Sequence, residues 1–289
     1  MDLNGDGIVD ILSGSYSGDD LPEMAGLFQV LYGKKDGTFS GPTPLKGTNG
    51  KFLIITPKVD GKRGDADVAR IWTRPTAVDY DADGDLDLVV GNFEGTYYLF
   101  RGEGGGKFLP KSEKLMIEDK PLNTGHHSDP FFVDWDGDGD LDMLAGDYNG
   151  GVTLVENTAG PGKEMNLCKI SELVPPSGGG RERWEGEDAK PSDSSRVAVE
   201  DLNGDGKLDL LVGDRVILKA LNEGETQEST EKKLKEWEVK SAQLSKKMSK
   251  AKNDGEMAEL RKKFQAQWEA REKIMKEEMT GFVWIYYQK

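Results

Sequence analysis

Asp2, Asp79, Asp134 and Asp201 each open a nine-residue run in which oxygen-bearing side chains recur at alternate positions. The runs read DLNGDGIVD, DYDADGDLD, DWDGDGDLD and DLNGDGKLD. Each has Asp at position 1, Asp or Asn at 3, Asp at 5, Gly at 6 and Asp at 9. Carboxylates this close repel one another unless a hard cation lies between them. Ca²⁺ takes roughly 6–8 oxygens at about 2.3–2.6 Å, and a loop of this kind can supply them from side chains and a backbone carbonyl. The glycine at position 6 permits the sharp turn that brings the two ends of the run together. One acidic loop is weak evidence, but four in the same phase describe a calcium-binding repeat protein.

A loop that opens this way also occurs in the EF-hand, which needs a bidentate Glu at position 12 and a helix on each side. Position 12 is Ser13, Val90, Ala145 or Val212, none a ligand, so the EF-hand is excluded. Position 9 leads instead into a short apolar run closed by Gly14, Gly91, Gly146 or Gly213. Such runs read as buried strands. Apolar segments also precede the loops at Thr76–Val78, Phe131–Val133 and Arg196–Val199. Turns containing Gly18, Gly95 or Asn149-Gly150 come next, then further strands at Leu27–Tyr32, Thr96–Phe100, Val152–Val155 and Phe282–Tyr287. Glycine-rich hairpins lead on to Thr38-Phe39 and Lys107–Leu109 as fourth strands. A four-stranded antiparallel unit recurring along a chain predicts an all-β fold, a β-propeller of four recognisable blades.

The acidic loop, the glycine-closed strand and the aromatic third strand resemble the FG-GAP/VCBS repeat family, calcium-binding propeller repeats of integrin-like heads and many secreted bacterial proteins. The resemblance covers roughly residues 1–220 and the last ten. It implies that Ca²⁺ rigidifies the loop between the first two strands of each blade. It further implies side-chain ligands at positions 1, 3, 5 and 9 and a backbone carbonyl at 7. In this chain these are Asp2, Asn4, Asp6, Ile8 and Asp10; Asp79, Asp81, Asp83, Asp85 and Asp87; Asp134, Asp136, Asp138, Asp140 and Asp142; and Asp201, Asn203, Asp205, Lys207 and Asp209. Up to four Ca²⁺ are expected, with the second and third loops binding more tightly because they carry more carboxylates.

The chain enters the first motif without a preceding strand and ends after the third strand of the fourth blade. It is therefore read as the C-terminal part of a larger propeller, N-terminally truncated; a four-bladed ring closed by its own termini is the other reading. The expected organisation is propeller blades over 1–225, an inserted antiparallel α-helical hairpin over 226–280 and a last propeller strand over 281–289. In the hairpin, Leu234, Trp237, Leu244 and Met248 form one stripe, and Met257, Leu260, Phe264, Trp268 and Met275 a second, with Asn253-Asp254-Gly255 as the turn between them. Their near-heptad spacing gives a coiled-coil-like pair. The stripes either pack only on each other or present spare aromatic surface for self-association.

The net charge of −15 excludes nucleic acid as a natural partner, and the four loops alone hold sixteen aspartates. No apolar run approaches the ~18 residues of a membrane span. The loops suit extracellular calcium, about 10⁻⁴–10⁻³ M, so secreted, periplasmic or cell-surface placement of the intact protein is expected. The single cysteine, Cys168, reads as a small buried or half-buried residue. His126 and His127 with Asp129 are the only histidine cluster, read first as a solvated or turn-stabilising pair. Gly178-Gly179-Gly180 reads as flexible loop, and Trp184 as a residue covering the core or, alternatively, stacking on a sugar. No hydrolase, metalloprotease or phosphate-cradling motif is present. The favoured function is a non-catalytic interaction scaffold for a protein or glycan ligand. A lectin-like propeller is the second reading, and a secreted polysaccharide-acting enzyme using His126 or His127 the third.

Overall fold

The apolar runs that follow the acidic loops become strands because both of their faces are buried. In the computed structural model, residues 1–15, 26–55, 72–177, 181–186, 190–251 and 253–289 are described; Gly18 and Gly178-Gly179-Gly180 lie outside them. In chain order the first sheet holds β1 (Ile11–Ser13), β2 (Gln29–Leu31) and β3 (Thr43–Pro44). The second holds β4 (Arg74–Val78), β5 (Asp87–Gly91), β6 (Tyr97–Phe100) and β7 (Glu113–Lys114). A short ribbon comes next, β8 (Met116–Ile117) with β9 (Lys120–Pro121). The third sheet is β10 (Asp129–Val133), β11 (Asp142–Gly146), β12 (Val152–Asn157) and β13 (Leu167–Val174). The remaining elements are β14 (Glu182–Trp184), β15 (Asp193–Glu200), β16 (Asp209–Leu221), helices α1 (Gln227–Met248) and α2 (Asp254–Glu272), β17 (Met275–Thr280) and β18 (Val283–Tyr286). The sheets are the four blades of a β-propeller, with the two helices near the C-terminus.

Side chains on a strand alternate between faces, and here each face belongs to a different core. From β5 and β6, Leu88, Val90, Tyr98 and Phe100 join Phe28, Val30 and Phe108 of the first blade and its hairpin neighbour. Val89, Tyr97 and Leu99 from the same strands turn the other way, onto Met143, Ala145 and Val155 of the third blade. Leu144, Val152 and Leu154 in turn meet Leu210 and Val212 of the fourth. Full burial of one such side chain stabilises by about 1.5–3 kcal/mol, so each inter-blade layer is a substantial apolar core.

Glycine sets how closely the blades approach. Gly14, Gly91 and Gly146 each lie against the residue six places before the next motif. A Cβ on them would sit 1.9 Å from the Thr73 carbonyl oxygen and 2.3 Å from those of Ser128 and Ser195. The next residue in each case donates its backbone N–H to that neighbour's hydroxyl: Ser15 to Thr73 at 3.0 Å, Asn92 to Ser128 at 3.2 Å and Asp147 to Ser195 at 2.8 Å. A glycine and a hydroxyl thus form one repeated latch. Gly213, at the equivalent place in the fourth blade, meets only Arg196 of its own blade, at 3.9 Å. Gly146→Ala is therefore expected to cost at least about 1–3 kcal/mol through overpacking, whereas Gly213→Ala stays within about 0.5 kcal/mol. Denaturant melts of the two variants check this.

Two strand assignments differ from the sequence reading. The fourth strands of the first two blades are Thr43–Pro44 and Glu113–Lys114. Thr38-Phe39 and Lys107–Leu109 form isolated bridges only, Gly33 to Phe39 and Gly102 to Phe108 closing the preceding hairpins and Gly47 to Phe108 running parallel. Phe108 is fully buried, so that segment serves the core before the chain reaches the blade edge. Cys168 is exposed rather than buried, with its thiol 3.3 Å from the Thr158 hydroxyl.

The chain divides into two units, the propeller (1–178, 190–214 and 282–289) and a second unit (179–189 and 215–281). In the second unit the C-terminal half of β16 pairs in parallel with β14 and antiparallel with β17. Asn253 caps α2, its side chain accepting from the Glu256 N–H, and Thr226 caps α1 in the same way through Ser229. Trp237 donates its indole N–H to the Gln267 carbonyl at 2.5 Å and meets Trp268 edge-on. Arg271 lies over both rings and pairs with Glu182 and Glu277. Met275, placed in the second helical stripe by its spacing, is instead in β17 opposite Leu221. The helix has already stopped at Lys273, and Met275 packs with Trp184 and Leu234. That packing also makes Trp184 a core residue, with the Lys219 ammonium over its ring.

Candidate metal centre

The second, third and fourth acidic runs each join two neighbouring strands of one sheet and the first leads into β1, and in all four the first aspartate holds the turn by accepting from backbone N–H groups. Asp134 accepts from Gly137 at 2.8 Å and Gly139 at 3.1 Å, Asp79 from Asp83 and Gly84 at 3.1 Å. Asp2 accepts from Gly5, Asp6 and Gly7, and Asp201 from Gly204, Asp205 and Gly206. Position 5 accepts the N–H of position 7 in all four: Asp6 from Ile8, Asp83 from Asp85, Asp138 from Asp140 and Asp205 from Lys207. Position 7 is thereby pinned beside the carboxylates.

Position 9 does something else. Asp10, Asp87, Asp142 and Asp209 are all buried. One oxygen of each accepts from the position 2 N–H: Leu3 at 2.9 Å, Tyr80 at 3.0 Å, Trp135 at 3.2 Å and Leu202 at 3.0 Å. The other accepts from an N–H at or just beyond the end of the third strand: Gly33 at 2.8 Å, Gly102 at 2.6 Å, Asn157 at 2.8 Å and Gln288 at 3.2 Å. This carboxylate staples the loop to its blade whether or not a metal is bound. Burial raises the pKa of Asp87 and Asp142, and the backbone donors pull it back.

Carboxylate oxygens converge in two loops. Ligand atoms of Asp79, Asp81 and Asp87 lie within 4.8 Å of one another, as do those of Asp134, Asp136 and Asp138. Two oxygens each about 2.4 Å from one calcium lie no more than about 4.8 Å apart, so both clusters have the span of a coordination sphere. Asp81 Oδ1 and Asp140 Oδ1 are buried and, among the described residues, have no hydrogen-bond partner. An unpartnered buried acceptor is costly, and a cation would relieve it. The residues therefore fit a hard divalent ion. In the first and fourth loops Asn replaces one carboxylate, and the Asn4 and Asn203 amides donate to Asp6 and Asp205 at 3.1 Å.

One participant was not visible in the motif. Arg101 pairs with Asp81 at 3.0 Å and with Glu164 at 2.5 Å, and lies over the Tyr80 ring. It sits just beyond the third strand, where nothing in the nonapeptide marks it. Burial pushes the Tyr80 phenol up to about 12, with Arg101 opposing and Glu164 and Asp87 adding to the rise.

Residues 79–145 match the FG-GAP-like repeat family. This stretch is similar to an FG-GAP-like repeat. It begins at the first ligand candidate of the second loop and ends in β11, so it contains both convergent clusters. The first and fourth loops lie outside the matched FG-GAP-like segment but share its hydrogen-bond pattern. Compared with curated proteins, the chain matches none.

The histidines lie apart from these loops in sequence and pack as aromatics. His127 is buried, with its ring 3.7 Å from Trp72, 4.6 Å from Tyr148 and 4.9 Å from Phe93. His126 Nδ1 lies 3.0 Å from the Phe93 carbonyl, and Asp129 is engaged by Arg196 at 2.9 Å. Burial pushes the His127 imidazole down to about 4; His126, Arg196 and Arg74 add to this and Asp193 opposes it. The unfolded chain takes up this proton near the ordinary value of about 6.5. His127 thus favours folding fully above that pH, and its contribution is lost as pH falls toward 4. Melting temperature measured across this window is expected to fall less steeply in His127→Phe than in the parent.

Proposed function

We propose that the chain is a calcium-binding β-propeller acting as a non-catalytic interaction scaffold, secreted, periplasmic or on the cell surface in the intact protein. The observation that carries this reading is the pair of convergent aspartate clusters within an FG-GAP-like repeat, one of them including a buried, unpartnered carboxylate oxygen. Asp79, Asp81, Asp83 and Asp87 would hold one ion, and Asp134, Asp136, Asp138 and Asp142 another. Asp85 and Asp140 would each contribute a backbone carbonyl. The first and fourth loops provide two weaker sites. Bound calcium would cancel charge repulsion within each loop and fix its conformation at the blade edge. The partner is a protein or a glycan. Calcium titration of the chelator-stripped chain, read by calorimetry and by metal analysis, tests the metal. Binding of more than one equivalent supports the proposal, and no saturable binding at millimolar calcium ends it. A glycan array run with and without calcium then separates a lectin from a protein-binding scaffold.

A further inference from the structure

The innermost strands of three blades bring three charges together. Arg74, Asp129 and Arg196 each stand five residues before the first aspartate of their motif, so the repeat places them at equivalent heights. Asp129 pairs with Arg196, Oδ2 to Nε 2.9 Å. Arg74 is left over. Among the described residues it makes no ion pair, and its Nε is buried without a hydrogen-bond partner. Burial disfavours its cation and Arg196 acts on it as a like charge, while Asp129 opposes both. Two guanidinium groups against one carboxylate leave one positive charge in excess.

Arg74 lines a cavity of about 270 Å³, whose other walls include Ser13, Ser15, Trp72, Thr73 and Asp129. The Trp72 wall is braced from behind by the buried His127 ring. This volume lies just below the ~300–1,000 Å³ typical of pockets for drug-sized ligands, so it suits a molecule of a few heavy atoms and excludes a folded partner. Arg74 is half-buried, its buried Nε–H without a partner is costly, and a planar carboxylate matches the guanidinium fork with two parallel hydrogen bonds. We propose that this cavity binds a small carboxylate through Arg74, a site separate from the acidic loops. Asp129 competes for the same positive charge and sets the affinity low enough for exchange.

The test titrates the calcium-loaded full chain with sodium lactate at constant ionic strength, using neutral lactamide as control and calorimetry as readout. Saturable binding of lactate and none of lactamide is expected. Arg74→Gln should weaken lactate binding about tenfold or more, the loss of a charge-assisted hydrogen-bond pair. Because Arg74 is unpaired, that variant should melt no lower than the parent, which separates loss of the site from loss of the fold. Asp129→Asn should strengthen binding several-fold by removing the competing carboxylate. Absence of saturable lactate binding by the parent overturns the proposal. So does unchanged affinity in Arg74→Gln, or weaker binding by a folded Asp129→Asn. Should Asp129→Asn fail to fold, Arg74→Gln decides alone.

Discussion

Calcium is expected to raise the melting temperature of the full chain, and chelator to lower it, by a margin set by the second and third loops. A ligand that binds only the folded state stabilises it by RT ln(1 + [L]/Kd), about 2.7 kcal/mol per site at 100 times Kd. Two occupied sites would therefore contribute about 5 kcal/mol, comparable with the whole stability of many domains. Asp81→Asn and Asp136→Asn should each remove one step of the calcium response. In chelator, Asp136→Asn should leave stability unchanged or raise it, because it removes one of several repelling carboxylates, whereas Asp81→Asn also gives up the ion pair with Arg101. Differential scanning calorimetry of the three proteins with and without calcium reads both effects. A melting temperature indifferent to chelator in the parent would refute the calcium reading.

Asp142→Ala should behave oppositely, destabilising the protein with calcium or without it. Both oxygens of Asp142 accept buried backbone N–H groups, from Trp135 at 3.2 Å and Asn157 at 2.8 Å. Truncation strands two donors at about 1–3 kcal/mol each, for a total of about 2–6 kcal/mol. Asp142→Asn keeps one acceptor and should recover roughly half of that loss. The corresponding Asp209→Ala frees Leu202 and Gln288 and should follow the same pattern. Urea melts in chelator distinguish the classes: position 9 variants lose stability there and Asp136→Asn does not. Equal losses at both positions would mean that the staple is not what position 9 contributes.

The phase of the nonapeptide made most of the propeller legible, because a strand buried on both faces reads as an unbroken apolar run. β5, β11 and the start of β16 lie where the glycine-closed runs place them, and the first and third strands follow by register. What escaped depends on partners far along the chain. The donors to position 9, such as Gly102 for Asp87 and Asn157 for Asp142, lie fifteen residues away across two strands. Alternating oxygens therefore marked the ligand candidates but not the further duty of position 9, whose carboxylate also accepts two backbone N–H groups. Arg101 was hidden for the same reason. In the second unit, helical spacing carried the reading past Lys273 to Met275, although Met275–Thr280 is a strand lying on β16. Charged residues at Lys276, Glu277 and Glu278 left no apolar alternation to reveal it.

The glycine–hydroxyl latch also bears on how such a fold changes in evolution. At each of three junctions one repeat presents a glycine and the next a hydroxyl, with only Thr for Ser substituted. The contact is head-to-tail, so every junction has the same grammar regardless of which repeats meet there. Duplicating or losing one repeat creates no surface that its new neighbour has not already met. Stability in such an array is mostly a sum of repeat and nearest-neighbour terms. Blade number can therefore drift by whole units, while the charges carried on the innermost strands are free to diversify from one repeat to the next.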